Sequence, residues 1–175
     1  MLTKSSGFNL WKGNNELSLV EGYEEYDNIK FKKLKSNILN LEETKNYEID
    51  RDKLFMDEAK NYLINDPVRY VNLFFKKLLA FYFVDLQSNY PKYYSFYNFV
   101  PTLLISLLSF PGLFIFYKKK NIKNNYLLLY LILNLIIFSI FFILPRYKLI
   151  ILPIQIILIG CLIKYMLDKF NIKYL

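Results

Sequence analysis

Two basic residues and a tyrosine, Arg146, Tyr147 and Lys148, interrupt the most apolar part of this 175-residue chain. Long apolar runs flank them, so these charges are expected where membrane meets water. Arg146 offers a planar set of donors for phosphate oxygens, Lys148 adds a point charge, and Tyr147 can stack or donate a hydrogen bond. The turn is therefore a candidate site for a lipid-linked phosphate. The alternative is that the positive pair only anchors two helix ends.

Charge is distributed unevenly along the chain. Residues 1–68 hold 10 Lys and Arg against 13 Asp and Glu, whereas residues 69–175 hold 13 against 2. Because the lysines of the second part flank apolar runs, they are typical of membrane-flanking charge and argue against nucleic-acid binding. The chain has no His and one Cys, Cys161. This composition excludes a His-ligated metal, a histidine general base and a disulfide within the chain.

Three apolar stretches are predicted to be transmembrane helices, at residues 99–117, 126–144 and 149–167. Each has 19 residues. At a rise of about 1.5 Å per residue each is about 28 Å long, which matches the hydrocarbon thickness of a bilayer. More lysines lie in residues 118–123 and from Lys164 onward than in the Arg146 turn. The positive-inside rule therefore predicts that residues 118–123 and the tail 168–175 are cytoplasmic.

The same rule places residues 1–98 and the Arg146 turn outside the cytoplasm, so we expect an integral protein of the plasma or inner membrane. Residues 1–66 are predicted to form a loop and short helices. Within them, residues 1–22 have little periodicity and Gly13-Asn14-Asn15 is a turn signal. A clearer helix is predicted at 51–64, with Asp50 as its N-cap.

Asp66 and Pro67 together signal the start of a further helix. Residues 67–86 are predicted to be an amphipathic helix in the membrane interface, with Arg69, Asn72 and Lys76 near one polar stripe and Lys77 adjacent to it. A fourth span with snorkelling lysines is the alternative. Residues 87–98 are rich in Tyr and predict an aromatic loop at headgroup level. The expected class is an all-α membrane protein with an extracytoplasmic cap, one interfacial helix and three transmembrane helices.

Three stretches, in order, resemble the C-terminal third of membrane glycosyltransferases of the GT-C type, the group of protein O-mannosyltransferases and lipid A aminoarabinose transferases. SSGFNLWKGNN at residues 5–15 is similar to the family's GxNLWxGNN loop. The segment from IDRD at 49–52 through DPVRY at 66–70 to KKL at 76–78 resembles its paired helices. PRYKL at 145–149, followed by Pro153, resembles its RYRLPxxP segment, with Ile150 in place of the first proline.

The resemblance implies transfer of a sugar from a polyprenyl-phosphate donor to a lipid, glycan or protein outside the cytoplasm. It implies that Arg146, Lys148 and Tyr147 bind the lipid phosphate and that Trp11, Asn14 and Asn15 cap the substrate; an ordinary surface turn is the alternative for the cap. Membrane lipids and the lipid-linked sugar are the expected partners. No other cofactor and no metal is implied.

Such enzymes carry the catalytic carboxylate in an early extracytoplasmic loop, and nothing in this chain matches that loop. We therefore expect no catalytic residue here, and a chain that acts as a fragment or split product together with a missing N-terminal part. A small non-enzymatic membrane anchor or scaffold is the competing hypothesis.

Overall fold

The computed structural model describes residues 5–118 and 122–170, with the backbone alone at 122–124. These residues form helices and turns without a strand, which confirms the all-α prediction. The helices are α1 (Ser6–Asn14), α2 (Lys32–Leu39), α3 (Tyr47–Asn65), α4 (Pro67–Tyr82), α5 (Phe96–Lys118), α6 (Ile122–Ile140) and α7 (Leu152–Lys169). Two 3₁₀ turns, Ile29–Phe31 and Pro145–Ile150, precede α2 and α7. Residues 119–121 of the predicted lysine-rich loop 118–123 and the last five residues of the tail lie outside the described part.

The chain divides into two compact units. Unit 1 comprises Met1–Lys77 and Phe138–Ile143, and unit 2 comprises Leu78–Ile137 and Leu144–Leu175. The core of unit 1 is aromatic and brings together three of its helices and the first 3₁₀ turn. Its buried members are Trp11, Phe31, Leu34, Ile38, Phe55 and Ala59.

Helix α1 corrects the prediction of a loop over residues 1–22. The backbone amides of Gly7 and Phe8 donate to the two carboxylate oxygens of Asp52 on α3, at 3.0 and 2.9 Å. A carboxylate at a helix N-terminus satisfies free N–H groups and opposes the helix dipole. Gly7 also lies against the α3 backbone, because a Cβ there would stand 2.1 Å from the Asp52 carbonyl oxygen. The cap comes from 45 residues away, so a search of the local sequence misses it.

The corner between α3 and α4 follows the prediction closely. Helix α3 ends at Asn65 and α4 begins at Pro67. The side chain of Asp66 accepts the backbone N–H of Arg69 at 3.1 Å, as an N-cap should. Two boundaries differ. Helix α3 begins at Tyr47, which puts Asp50 in its first turn, and α4 ends at Tyr82, before the predicted end at residue 86.

Helices α5 and α7 pack against each other in unit 2 through small and polar residues. Ser106, Ser109 and Gly112 of α5 are buried, as is Gln155 of α7. The Gln155 amide donates to the Tyr82 carbonyl oxygen at 2.9 Å, and the Tyr82 and Ser109 hydroxyls are 3.0 Å apart. Many Leu, Ile and Phe side chains of α5 and α7 are instead exposed. Polar contacts inside and apolar side chains outside are typical of helices packed in lipid.

Among the described residues, α5 is the one helix long and apolar enough to cross a membrane, with 23 residues. At about 1.5 Å per residue it is about 35 Å long, enough to cross a bilayer core. The apolar part of α6, Asn125–Ile140, is shorter. Helix α7 has 18 residues and carries Lys164, Asp168 and Lys169 near its end. The first predicted span is therefore matched by a suitable helix, and the second and third stay predictions.

We expect Gly112→Ala to loosen the contact between α5 and α7. A Cβ at residue 112 would stand 2.1 Å from the Leu158 carbonyl oxygen, so the two backbones must separate. Thermal unfolding in detergent should show a loss of about 1–3 kcal/mol of stability. Gly160→Ala is the matched control, because nothing lies within 4 Å of a Cβ there. Equal unfolding temperatures for the two variants would contradict the close packing at Gly112.

Candidate functional site

The Arg146 turn is a short 3₁₀ segment, Pro145–Ile150, that leads into α7. Leu144 before it is extended, and Pro145 occupies the first position, where a missing N–H costs nothing. The N–H of Tyr147 donates to the Leu144 carbonyl oxygen at 2.9 Å, and the N–H of Ile151 donates to the Lys148 carbonyl oxygen at 3.1 Å. These bonds fix the backbone that carries both basic side chains.

A cavity of about 380 Å³ lies beside this turn, within unit 2. Arg146 and Lys148 line one side of it. The aromatic segment before α5, the first turns of α5 and the start of α7 supply the rest; their lining residues include Tyr90, Tyr93, Tyr97, Phe99, Thr102 and Gln155. The N–H of Asp85 donates to the Tyr93 hydroxyl at 2.8 Å, which holds that ring in place. The cavity thus combines two cations with an aromatic and amide-bearing wall.

Lys148 is the most unusual group in the cavity. Its side chain is only 9% exposed, and its Nζ has no hydrogen-bond partner among the described residues. Burial lowers the pKa of Lys148 to about 7, because a desolvated ammonium is costly. Buried polar groups are normally paired, and an orphaned one marks a place where a ligand, an ion or water is needed. The cavity therefore presents a buried amine that is protonated below about pH 7 and has no hydrogen-bond partner among the described residues.

Arg146 and Tyr147 have different surroundings. Arg146 is exposed at the cavity edge, with its Cζ 5.7 Å from the centre of the Tyr147 ring. Tyr147 is half-buried and lies outside the cavity lining. The structure thus brings Arg146 and Lys148 to one cavity and leaves Tyr147 as a neighbour of the guanidinium. Direct contact between Tyr147 and a bound phosphate stays a prediction.

The three predicted cap residues lie inside unit 1. Trp11 is fully buried, with its ring centre 5.1 Å from those of Phe31 and Phe55. Asn15 is also fully buried, and its side chain bonds to the N–H of Leu17 and the carbonyl oxygen of Tyr23. None of the three presents an exposed surface to a substrate. Their contacts hold the N-terminal segment together, and because they are buried they do not form the surface turn of the alternative either; a role in capping the substrate stays a prediction.

Asn14 belongs to a buried junction that sequence reasoning missed. Its amide donates to the carbonyl oxygens of Leu10 and Ile140, at 2.9 and 2.8 Å. Lys77 is fully buried beside it and donates to the carbonyl oxygens of Gly13 and Phe141, at 2.8 and 2.6 Å. Lys77 also reaches the Asn14 side-chain oxygen at 3.2 Å. Lys77, which the sequence places next to the polar stripe of its helix, is thus buried, whereas Lys76 of that stripe is exposed.

Gln155 is a second residue that the sequence reasoning passed over. It lines the cavity and fastens α7 to the end of α4 through the Tyr82 carbonyl oxygen. The sequence does contain a signal for Gln155, because it is an uncharged polar residue inside a long apolar run. Polar residues in such runs are usually buried and serve packing or function.

Comparisons with known proteins found no match to this chain among family models, curated proteins or solved structures. The resemblance to membrane glycosyltransferases therefore rests on the three motifs alone. Within the described residues, no group of three or more Cys, Asp or Glu side chains could hold a metal ion.

Proposed function

We propose that this chain is the C-terminal part of a membrane glycosyltransferase and that its basic cavity binds the phosphate of a polyprenyl-phosphate sugar. The observation that carries the proposal is the buried Nζ of Lys148, which has no hydrogen-bond partner in the part of the chain that the structure describes and lies in a cavity that Arg146 also lines. Anchoring of helix ends, the alternative reading, needs basic side chains that reach water or headgroups. It gives no reason for burying one of them without a partner.

A phosphodiester suits this cavity in charge and in shape. Its oxygens carry one negative charge, which compensates the buried ammonium of Lys148. The guanidinium of Arg146 at the edge supplies paired donors to the same group. The tyrosines opposite can pack against a sugar ring and donate hydrogen bonds through their hydroxyls. The chain would thus hold the donor and stabilise the leaving phosphate, while the base that activates the acceptor belongs to the missing part.

We further propose that α5, α6 and α7 each form a transmembrane helix. The small and polar contacts between α5 and α7 and their exposed apolar side chains support membrane burial of both helices. The lysine distribution favours an orientation in which Lys118 is cytoplasmic and the Arg146 turn is outside. The cavity then opens at the outer face, where the lipid-linked sugar is used.

Cysteine labelling from outside intact cells tests the orientation. In a Cys161→Ser background, a cysteine introduced as Tyr147→Cys should react with a membrane-impermeant maleimide. Lys119→Cys should react only after the membrane is permeabilised, because it belongs to the basic segment predicted to be cytoplasmic. Labelling of Lys119→Cys alone would invert the orientation and move the cavity to the cytoplasmic face.

A photoreactive polyprenyl-phosphate sugar, activated next to its phosphate, tests the proposed ligand directly. Cross-linking to the purified full chain should fall on peptides from the cavity lining, such as those with Tyr97 or Arg146. An excess of unmodified lipid-linked sugar should compete, and a neutral polyprenol should not. If no cavity peptide is labelled but a partner protein co-purifies through residues 1–68, the scaffold hypothesis replaces this proposal.

The affinity for the phosphodiester should decrease as the pH rises from 6 to 9. Because burial holds the pKa of Lys148 near 7, the empty site is charged at pH 6 and mostly neutral at pH 9. Binding at pH 9 must restore the proton, which costs up to about 100-fold in affinity. A phosphodiester keeps its single charge throughout this range, so the ligand itself contributes no titration. Lys148→Met should remove the pH dependence, and a flat profile for the unmodified chain would contradict the buried cation.

A further inference from the structure

A second concave surface lies in unit 2, away from the residues that line the basic cavity. It is a groove of about 650 Å³ between the end of α4, the C-terminal half of α5 and the middle of α6. Its walls are almost entirely aliphatic or aromatic, with Leu79, Phe83, Phe114, Leu129 and Ile132 among them. Several of these side chains are about half exposed, including Leu129 at 51%. A contiguous exposed apolar surface of this kind marks a binding surface.

The position of the groove along α5 indicates which ligand occupies it. Helix α5 is the described helix that can cross a membrane, and the groove follows its C-terminal half. With α5 across a bilayer, an apolar groove along this half of the helix faces hydrocarbon, and an acyl chain suits it. Tyr117, at the C-terminal end of α5, and Asn125, near the start of α6, add polar groups to the lining, whereas the hydroxyl of the third polar lining residue, Tyr82, is already paired with Ser109. The end at Tyr117 and Asn125 is where a lipid headgroup would lie.

Charge at the same end specifies the headgroup. Lys118 follows Tyr117 as the last residue of α5 and is exposed, and the sequence continues with Lys119 and Lys120. Basic residues beside a membrane helix attract anionic lipids, by about 1 kcal/mol for each Lys near the surface. Uncharged or zwitterionic lipids gain nothing comparable from this cluster. The apolar groove therefore complements the acyl chains of an anionic glycerophospholipid, and the lysines complement its headgroup.

We propose that this groove is a site for an anionic phospholipid such as phosphatidylglycerol, with acyl chains on α5 and α6 and the headgroup phosphate at Lys118. The site needs α5 to lie in a membrane but is independent of sugar transfer. It differs from the basic cavity in ligand and in lining residues. With the proposed orientation, it takes its lipid from the cytoplasmic leaflet.

A tryptophan reporter in the groove tests this site in vesicles that contain phospholipids with brominated acyl chains, which quench tryptophan fluorescence on contact. Leu129→Trp places the reporter in the lining, and Tyr130→Trp is the matched control on the adjacent residue, which is similarly exposed and not part of the lining. Leu129→Trp should be half-quenched at an about five-fold lower mole fraction of brominated phosphatidylglycerol than of brominated phosphatidylcholine. Tyr130→Trp should respond equally to both lipids. Lys118→Gln should remove the preference at Leu129.

Three outcomes would overturn the proposal. Equal quenching by both lipids at Leu129→Trp would mean that the groove contacts the surrounding lipid without selecting an anionic one. If Tyr130→Trp is quenched and Leu129→Trp is not, protein such as a second copy or further helices covers the groove. Failure of the unmodified chain to retain phosphatidylglycerol over phosphatidylcholine in native mass spectrometry would exclude a site without relying on the reporter. Loss of sugar-lipid binding at the basic cavity would leave the result for this groove unchanged.

Discussion

Replacing Lys148 with methionine is expected to weaken binding of a polyprenyl-phosphate sugar by about 100-fold, because a buried charge-assisted hydrogen bond contributes about 1.5–3 kcal/mol. Methionine is one atom shorter than lysine but keeps a flexible apolar side chain of similar shape, and it removes the amine with its charge and hydrogen-bond donors. The same substitution should make the empty protein more stable, since it removes a buried cation without a hydrogen-bond partner among the described residues. Weaker binding together with greater stability would identify Lys148 as a ligand-binding residue.

The stability gain should itself depend on pH. Because the pKa of Lys148 is lowered in the folded protein, the unfolded chain binds more protons between about pH 7 and 10.5. Stability of the unmodified chain therefore rises with pH across that window, and the advantage of Lys148→Met decreases. Calorimetric titration gives the affinity, and thermal unfolding gives the stability. Lys164→Met, at an exposed lysine of α7, should change neither. Unchanged affinity in Lys148→Met would remove this residue from the site.

Gly13→Ala is expected to destabilise unit 1 by about 3–5 kcal/mol. A Cβ at residue 13 would stand 1.8 Å from the Phe141 carbonyl oxygen, and that atom belongs to backbone that cannot rotate away. Moving Phe141 also pulls an acceptor away from the buried ammonium of Lys77, which then loses one of its hydrogen bonds. Steric overlap and loss of a hydrogen bond to a buried charge therefore act together.

The single tryptophan makes this measurement specific. Trp11 is fully buried in unit 1, so its fluorescence during urea unfolding reports on this unit. Gly160→Ala introduces the same methyl group at an open position and should leave the transition unchanged. A normal midpoint for Gly13→Ala would mean that α1 does not lie against Phe141 as described.

Local signals in the sequence predicted some of these elements well. Asp66 and Pro67 give the start of α4 because an N-cap side chain and a fixed φ act within a few residues. The apolar run after residue 98 predicts most of α5, because the composition of a continuous stretch is also a local property of the sequence. The first helix is different, since its N-terminal amides are satisfied by Asp52 on another helix. No pattern within Ser6–Asn14 encodes that partner.

The candidate site was predicted in part. Charge between two apolar runs was enough to single out Arg146 and Lys148. Their contrast, one exposed and the other buried without a partner, depends on how unit 2 packs around the turn. The same holds for Lys77, whose acceptors come from two distant segments. For Trp11, Asn14 and Asn15, residue type suggested recognition, and the sequence did not indicate that all three are buried or that both asparagines bond to backbone carbonyls.

The bond between Asn14 and the Ile140 carbonyl oxygen spans 126 residues of sequence. During synthesis, the N-terminal residues therefore leave the ribosome long before their last partner exists. Unit 1 can close only after the segment Phe138–Ile143 has been made, which comes after α5 and most of α6. Until then Lys77 lacks the Phe141 acceptor. The two parts of unit 1 can therefore come together only after the apolar residues between them have been synthesised.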